Sequence, residues 1–133
     1  MAHPEPFFDT NVLVYLVADD ARKARRSAEL VKAGGIVSVQ VLNEFVAVAR
    51  RKRRLPWANI RRVLDGVRRR CPVVPLTAAM HERAVDLAER HQFNIYDAVI
   101  VAAALLEGCT TLYSEDMHDG QVVEGVRILN PFA

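Results

Sequence analysis

Apolar and polar positions alternate along this chain in short blocks, and the blocks predict strands and helices in turn. Pro6-Phe7-Phe8 is too short for a helix and too apolar for a surface loop, so it predicts a buried strand. Asp9, Thr10 and Asn11 are cap residues at the start of a short apolar helix that runs to Ala18. Asp19-Asp20 caps a more charged helix through Lys32, and Gly34-Gly35 stops it. Ile36-Val37-Ser38 predicts a second strand. Ser38 or Val39 begins a helix to about Arg53, which Leu55-Pro56 breaks. Pro56 also suits the first turn of the next helix, extending to about Arg70. Cys71 to Leu76 reads as a third strand, confined to a sheet edge by Pro72 and Pro75. Thr77 caps a helix through Arg90, and Asn94 opens another that Gly108 closes. A fourth strand follows at Cys109 to Tyr113, then a polar loop from Ser114 to Gly120, then a last short strand at Val126 to Leu129. Strands alternating with helices imply a central parallel sheet covered on both faces, a three-layer α/β/α architecture.

Four acids interrupt this pattern. Asp9 falls at the end of the first strand, where ligands bind in open parallel sheets, although a simple helix cap explains it equally well. Asp97 opens the segment Ile95 to Leu106, which is apolar on every side and so predicts a helix buried on nearly all faces. A lone carboxylate there costs several kcal/mol unless it is paired. The helix dipole at the first turn offsets only about 1 kcal/mol of that cost, which favours function. Glu44 stands at the margin of an apolar helix face, with Val41 and Val48 flanking it at about 100° per residue. From that position it can lean into a cleft, or remain an ordinary exposed Glu. The loop after the fourth strand offers Glu115, Asp116 and Asp119, and spacing alone does not select which turns inward.

Composition narrows the picture. At 133 residues, 51% hydrophobic and 26% charged, the chain is expected to form one soluble domain spanning residues 1–133. Its longest nearly apolar run, Ile95 to Leu106, is too short to span a bilayer. Met1 to Glu5 lacks the basic flank and long apolar region of a signal peptide, so no membrane association is expected. Cys71 and Cys109 form no paired motif, which suggests buried, reduced thiols and a cytoplasmic location. His3, His81, His91 and His118 lack zinc-ligand spacing and read as surface or helix residues. Net charge is only +2, yet ten Lys or Arg residues and a single acid, Asp65, lie between Arg50 and Arg70. That segment is either a phosphate-contacting patch or a plain solvated face.

If the carboxylates meet, they repel one another, and their pKa values rise unless a cation neutralises them. Hard oxygen ligands with open positions suit Mg²⁺ or Mn²⁺, which can activate water for an in-line phosphoryl displacement. A polyanionic substrate would then give the basic segment its purpose.

At these residues the chain resembles the PIN-domain ribonucleases, and within them the VapC-type toxins of type II toxin–antitoxin pairs. The matching pieces are Phe8-Asp9-Thr10-Asn11, Asn43-Glu44, Tyr96-Asp97-Ala98 and Ser114-Glu115-Asp116-Met117, in the family's order over nearly the whole chain. The resemblance implies a PIN-like fold with an acidic site of Asp9, Glu44, Asp97 and Asp116. It implies Asp9, Asp97 and Asp116 as metal ligands, Asp116 in part through water, with Glu44 a ligand or water positioner. Thr10 or Asn11 and Ser114 would assist the metal or substrate. The implied activity is Mg²⁺- or Mn²⁺-dependent endonucleolytic RNA cleavage by a metal-activated water. A cognate antitoxin covering the cleft and a toxin homodimer are implied as partners, with apolar positions on the first four helices as candidate contacts. A haloacid-dehalogenase-type phosphatase also begins with Asp after an apolar strand, but it wants a second acid where this chain has Asn11. A receiver domain needs acids on the third strand, which has none. A catalytically inactive PIN-like module that binds RNA or protein is the alternative outside enzymology.

Overall fold

In the computed structural model, residues 5–133 are described. The readings placed on Met1–Pro4, including His3 as a surface residue, lie outside them. The chain runs β1 (Phe7–Phe8), α1 (Thr10–Val14), a 3₁₀ turn (Tyr15–Val17), α2 (Ala21–Ala33), β2 (Val37–Ser38), α3 (Val39–Arg51) and α4 (Trp57–Arg70). It continues with β3 (Val73–Val74), α5 (Ala78–His91), α6 (Ile95–Leu106), β4 (Thr111–Tyr113), β5 (Val122–Val123) and β6 (Val126–Leu129). Most helices start where cap residues stand, while α4 starts directly after Pro56 without a side-chain cap. The side chains of Asp20, Ser38, Thr77 and Asn94 each accept from a backbone amide in the first turn of the helix that follows.

Four strands pair in the order β1-β4-β6-β5, and β2 pairs with β3. A parallel bridge between Phe7 and Ile36 joins the two sets, so the strands lie in the order β3-β2-β1-β4-β6-β5. All pairings are parallel except β5 with β6. From β1 the chain steps outward through β2 to β3, then returns to the far side of β1 to lay down β4. The gap between the carboxyl ends of β1 and β4 is therefore a topological switch point, the place where open α/β sheets bind ligands.

The expected three-layer α/β arrangement is present, with several differences of detail. Strands β1 to β4 are shorter than the apolar runs that announce them, whereas β6 matches its run; β3 keeps two residues of the expected six, and it does lie at the sheet edge. The helix expected from Thr10 to Ala18 tightens to a 3₁₀ turn at Tyr15. Strand β5 was not anticipated. It forms a hairpin with β6 through Glu124 and Gly125, both at positive φ (49° and 98°), and Glu-Gly is a weaker turn signal than Asn-Gly. Cys71 and Cys109 are buried and unpaired. No described helix is long and apolar enough to cross a membrane.

The core gathers Phe7, Phe8, Leu13, Phe45, Ile60, Leu87, Ile100, Leu112 and Ile128, each at 2% exposure or less. Gly35 is part of this packing, because a Cβ there would stand 2.3 Å from the Phe8 ring. Phe8 immediately precedes Asp9, so the glycine sets how deeply the end of β1 is seated. Replacing Gly35 by Ala is expected to overpack the core and cost about 1–3 kcal/mol. Urea denaturation would show it as a lower midpoint at unchanged slope; an unshifted midpoint would mean the ring is not confined there.

Candidate active site

The deepest acid is Asp9, which is 4% exposed. Its amide donates to Tyr113 O at 3.0 Å, and Ser114 N donates to Leu129 O at 3.0 Å, so the ladder brings the ends of β1 and β4 side by side. Asp9 Oδ1 accepts from the Thr10 amide at 2.7 Å, the expected cap. Its Oδ2 accepts from Ser114 Oγ at 2.7 Å and from Asn11 Nδ2 at 3.5 Å. The carboxylate is thus both a helix cap and a cleft-facing group. Burial pushes its pKa up to about 7; the bonds from Ser114 and Thr10 oppose that rise, and the charges of Asp97 and Glu44 reinforce it.

The other acids approach from separate elements. Glu44 leans off α3, where Oε1 accepts from Thr10 Oγ1 at 3.0 Å and Oε2 from Gln40 Nε2 at 2.6 Å. Asp116 follows Ser114 in the loop after β4, and its Oδ2 accepts from Asn11 Nδ2 at 3.2 Å. The Asn11 amide therefore bridges Asp9 and Asp116. Ser114 Oγ, besides donating to Asp9, accepts from the amides of Asp116 and Met117 at 3.3 and 3.2 Å, which curls the loop over the site. Asp97 sits in the first turn of α6. Its amide donates to Asn94 Oδ1 at 2.9 Å, and its Oδ2 accepts from Asn94 Nδ2 at 3.0 Å. Burial raises its pKa, the Asn94 bond opposes the rise, and the charges of Glu44 and Asp116 add to it.

One expectation needs correcting. Helix α6 is buried from Ala98 to Ala104, but its first turn emerges, and Tyr96 is 63% exposed. Asp97 is only half-buried and shares a reciprocal cap with Asn94. The acid that bears the full cost of burial is Asp9.

Asp9, Thr10, Asn11, Glu44, Asp97 and Asp116 line one cleft of about 560 Å³, with Val14, Tyr15 and Val48 on an apolar side and Lys52 and Arg53 as its cations. The loop acids left open by spacing are now sorted. Glu115 turns away to Lys23 Nζ at 2.7 Å and to the Tyr15 hydroxyl, while Asp119 accepts from the Asn130 amide at 2.8 Å. Sequence reasoning passed over Gln40, although its spacing of four from Glu44 on one helix was a usable signal. It also took Lys52 and Arg53 only as part of a block.

Among the described residues, Asp9, Glu44, Asp97 and Asp116 form no ion pair with Lys, Arg or His. Among those residues, too, no three Asp, Glu, His or Cys side chains form a ready-made metal cage. The donors still fit a hard divalent cation. Mg²⁺ is usually held by one or two carboxylates and keeps several waters. A buried carboxylate whose ionisation is resisted by burial and by two neighbouring acids is a place where a cation lowers the energy.

The PIN domain family model matches residues 7–118, most of the chain and all four acids. The chain belongs to the PIN domain family. That membership sets aside the phosphatase and receiver readings. Solved structures similar to this PIN domain include a toxin–antitoxin complex from Klebsiella pneumoniae, at 20% identity and a TM-score of 0.73, covering 96% of this chain and 98% of that one. The sarcin–ricin-loop-cleaving toxin VapC20 of Mycobacterium tuberculosis aligns at 22% identity and a TM-score of 0.65, over 84% of this chain and 90% of that one. DNA-bound VapBC from Salmonella typhimurium aligns at 19% identity and a TM-score of 0.68, over 96% and 97%. At these identities the likeness is one of fold. No curated protein sequence matches the chain significantly.

The raised pKa of Asp9 carries a sign for stability. Between the ordinary carboxyl value of 3.8 and about 7, the folded metal-free protein binds more protons than the unfolded chain. Its stability therefore falls as pH rises through that window. Asp97, also raised, contributes in the same direction. Asp9→Asn is expected to flatten the decline and to raise the melting temperature above pH 7 in EDTA. Parallel pH profiles for wild type and variant would show that Asp9 titrates normally.

Proposed function

We propose that this PIN domain is a Mg²⁺- or Mn²⁺-dependent endoribonuclease acting as the toxin of a toxin–antitoxin pair. The observation that carries the proposal is the convergence of Asp9, Glu44, Asp97 and Asp116, from two strand ends and two helices, on one cleft around a buried carboxylate. Family membership supports the nuclease class, and similar folds in toxin–antitoxin complexes and in an RNA-cleaving toxin support the biological setting.

Asp9 and Asp97 are the proposed principal ligands, with Asp116 at the outer rim as a further or water-mediated one. A bound divalent ion would stabilise charge on the phosphate and make a water acidic enough to attack near neutral pH. The chain's own groups set the geometry. Ser114 and the Thr10 amide fix the Asp9 carboxylate, and Asn11 holds Asp116 to it. Both oxygens of Glu44 already accept hydrogen bonds, from Thr10 and Gln40, which suits it to orienting water more than to direct ligation. Val14 and Val48 give the cleft an apolar flank beside the acids.

A cognate antitoxin and a second toxin copy complete the proposal, in a cytoplasmic setting. An apolar groove of about 410 Å³ between α2, α4 and the 3₁₀ turn, lined by Leu16, Val31, Val63 and Val67, offers such a partner a surface.

Purified protein is expected to cleave RNA with Mg²⁺ or Mn²⁺ and to stop in EDTA. Asp97→Asn should reduce cleavage at least about a hundredfold while circular dichroism and melting temperature show an intact fold, since the Asn94 cap tolerates an amide. Cleavage that survives both chelation and this substitution would overturn the metal mechanism.

A further inference from the structure

The ten basic residues between Arg50 and Arg70 do not all face the same way. Arg62 and Arg70 line the apolar groove beside α2. Arg68 pairs with Asp65 at 3.0 Å. Lys52 and Arg53, at the end of α3, line the acidic cleft, and among the described residues neither makes an ion pair. Two cations thus line a carboxylate site without pairing with its acids. That arrangement fits a ligand that carries its negative charge outside the acids.

The connection that follows is fixed in shape. Arg54 adopts a left-handed conformation (φ 52°), Leu55 N donates to Ala49 O at 3.0 Å, and Arg50 Nη1 donates to Leu55 O at 2.8 Å. It delivers Trp57 to the start of α4 with its ring 4.9 Å from the Arg50 guanidinium and 52% of its surface exposed. Lys52 caps α3 and Arg53 lies just beyond it, four positions before Trp57, so the chain alone keeps the Trp57 Cα within about 14 Å of the Arg53 Cα. An exposed ring beside backbone-seeking cations is the combination that single-stranded nucleic acid recognises, by stacking a base and seating its phosphates. A duplex has no internal base free to stack, and a run of acidic side chains offers the ring nothing to stack on.

We propose that the turn between α3 and α4 is a landing platform for single-stranded RNA, with Lys52 and Arg53 holding phosphates at the cleft and Trp57 stacking a base beyond them. This rests on the ribonuclease reading for its substrate class, but its test does not require cleavage.

Trp57 is the chain's one tryptophan, so its fluorescence reports this platform alone. Wild-type protein in EDTA, titrated with a short oligouridylate, is expected to show saturable quenching that weakens with salt. Anisotropy of a labelled oligonucleotide should show Trp57→Ala binding about tenfold more weakly, with Trp57→Tyr recovering most of the loss. Lys52→Ala and Arg53→Ala should each flatten the slope of log affinity against log salt by about one. Melting temperatures establish that each variant is folded. Binding by anisotropy without quenching, unchanged salt slopes, or no binding at all would overturn the platform. Equal quenching by duplex RNA or by polyglutamate would overturn the single-strand assignment. Cleavage by wild type with Mn²⁺ but an indifferent Trp57 would remove the platform and leave the nuclease, whereas quenching without cleavage would do the reverse.

Discussion

The arrangement of the site depends on one buried contact, the hydrogen bond from Ser114 Oγ to the Asp9 carboxylate. Two parallel strands end next to each other, and each ends in a polar residue that has nowhere to go but toward the other. The Ser114 hydroxyl can donate once, and it spends that donation on Asp9 while accepting the two amides that bend the following loop. Through that one oxygen the depth of Asp9 and the path of Asp116 are coupled. Burying a carboxylate in this way is unfavourable on its own account, and a protein keeps such a group mainly where charge is wanted.

Much of this was readable in the sequence because it is local. Caps at Asp9, Asp20, Ser38, Thr77 and Asn94 are short-range chemistry, and each proved to start its helix. The edge position of β3 followed from its prolines. What resisted reading was whatever depends on contacts between distant segments. Full burial of Asp97 was inferred from an apolar helix, but the flanking chain leaves the first turn of α6 in solvent. Choosing among Glu115, Asp116 and Asp119 required knowing that Lys23 and Tyr15 stand ready for one and Asn130 for another. Picking Lys52 and Arg53 out of a run of arginines required the cleft itself.

The site is also electrically lopsided. Its four acids come from two strand ends and two helices, while its two cations both come from the residues that follow α3. A symmetric ring of charge would hold a small ion and nothing more. The offset gives the cleft a direction, with negative charge on one part of its lining and positive charge on another.

The sheet order has a consequence in time. Asp9 and Ser114 are separated by 105 positions, as are Asn11 and Asp116. During synthesis one half of the cleft is therefore made 105 positions ahead of its counterpart. Contacts between such remote segments close late. A polypeptide released before Ser114 would carry Asp9 and Glu44 but lack the strand end that completes the pocket, so the carboxylates cannot be brought together until Asp116 has been made.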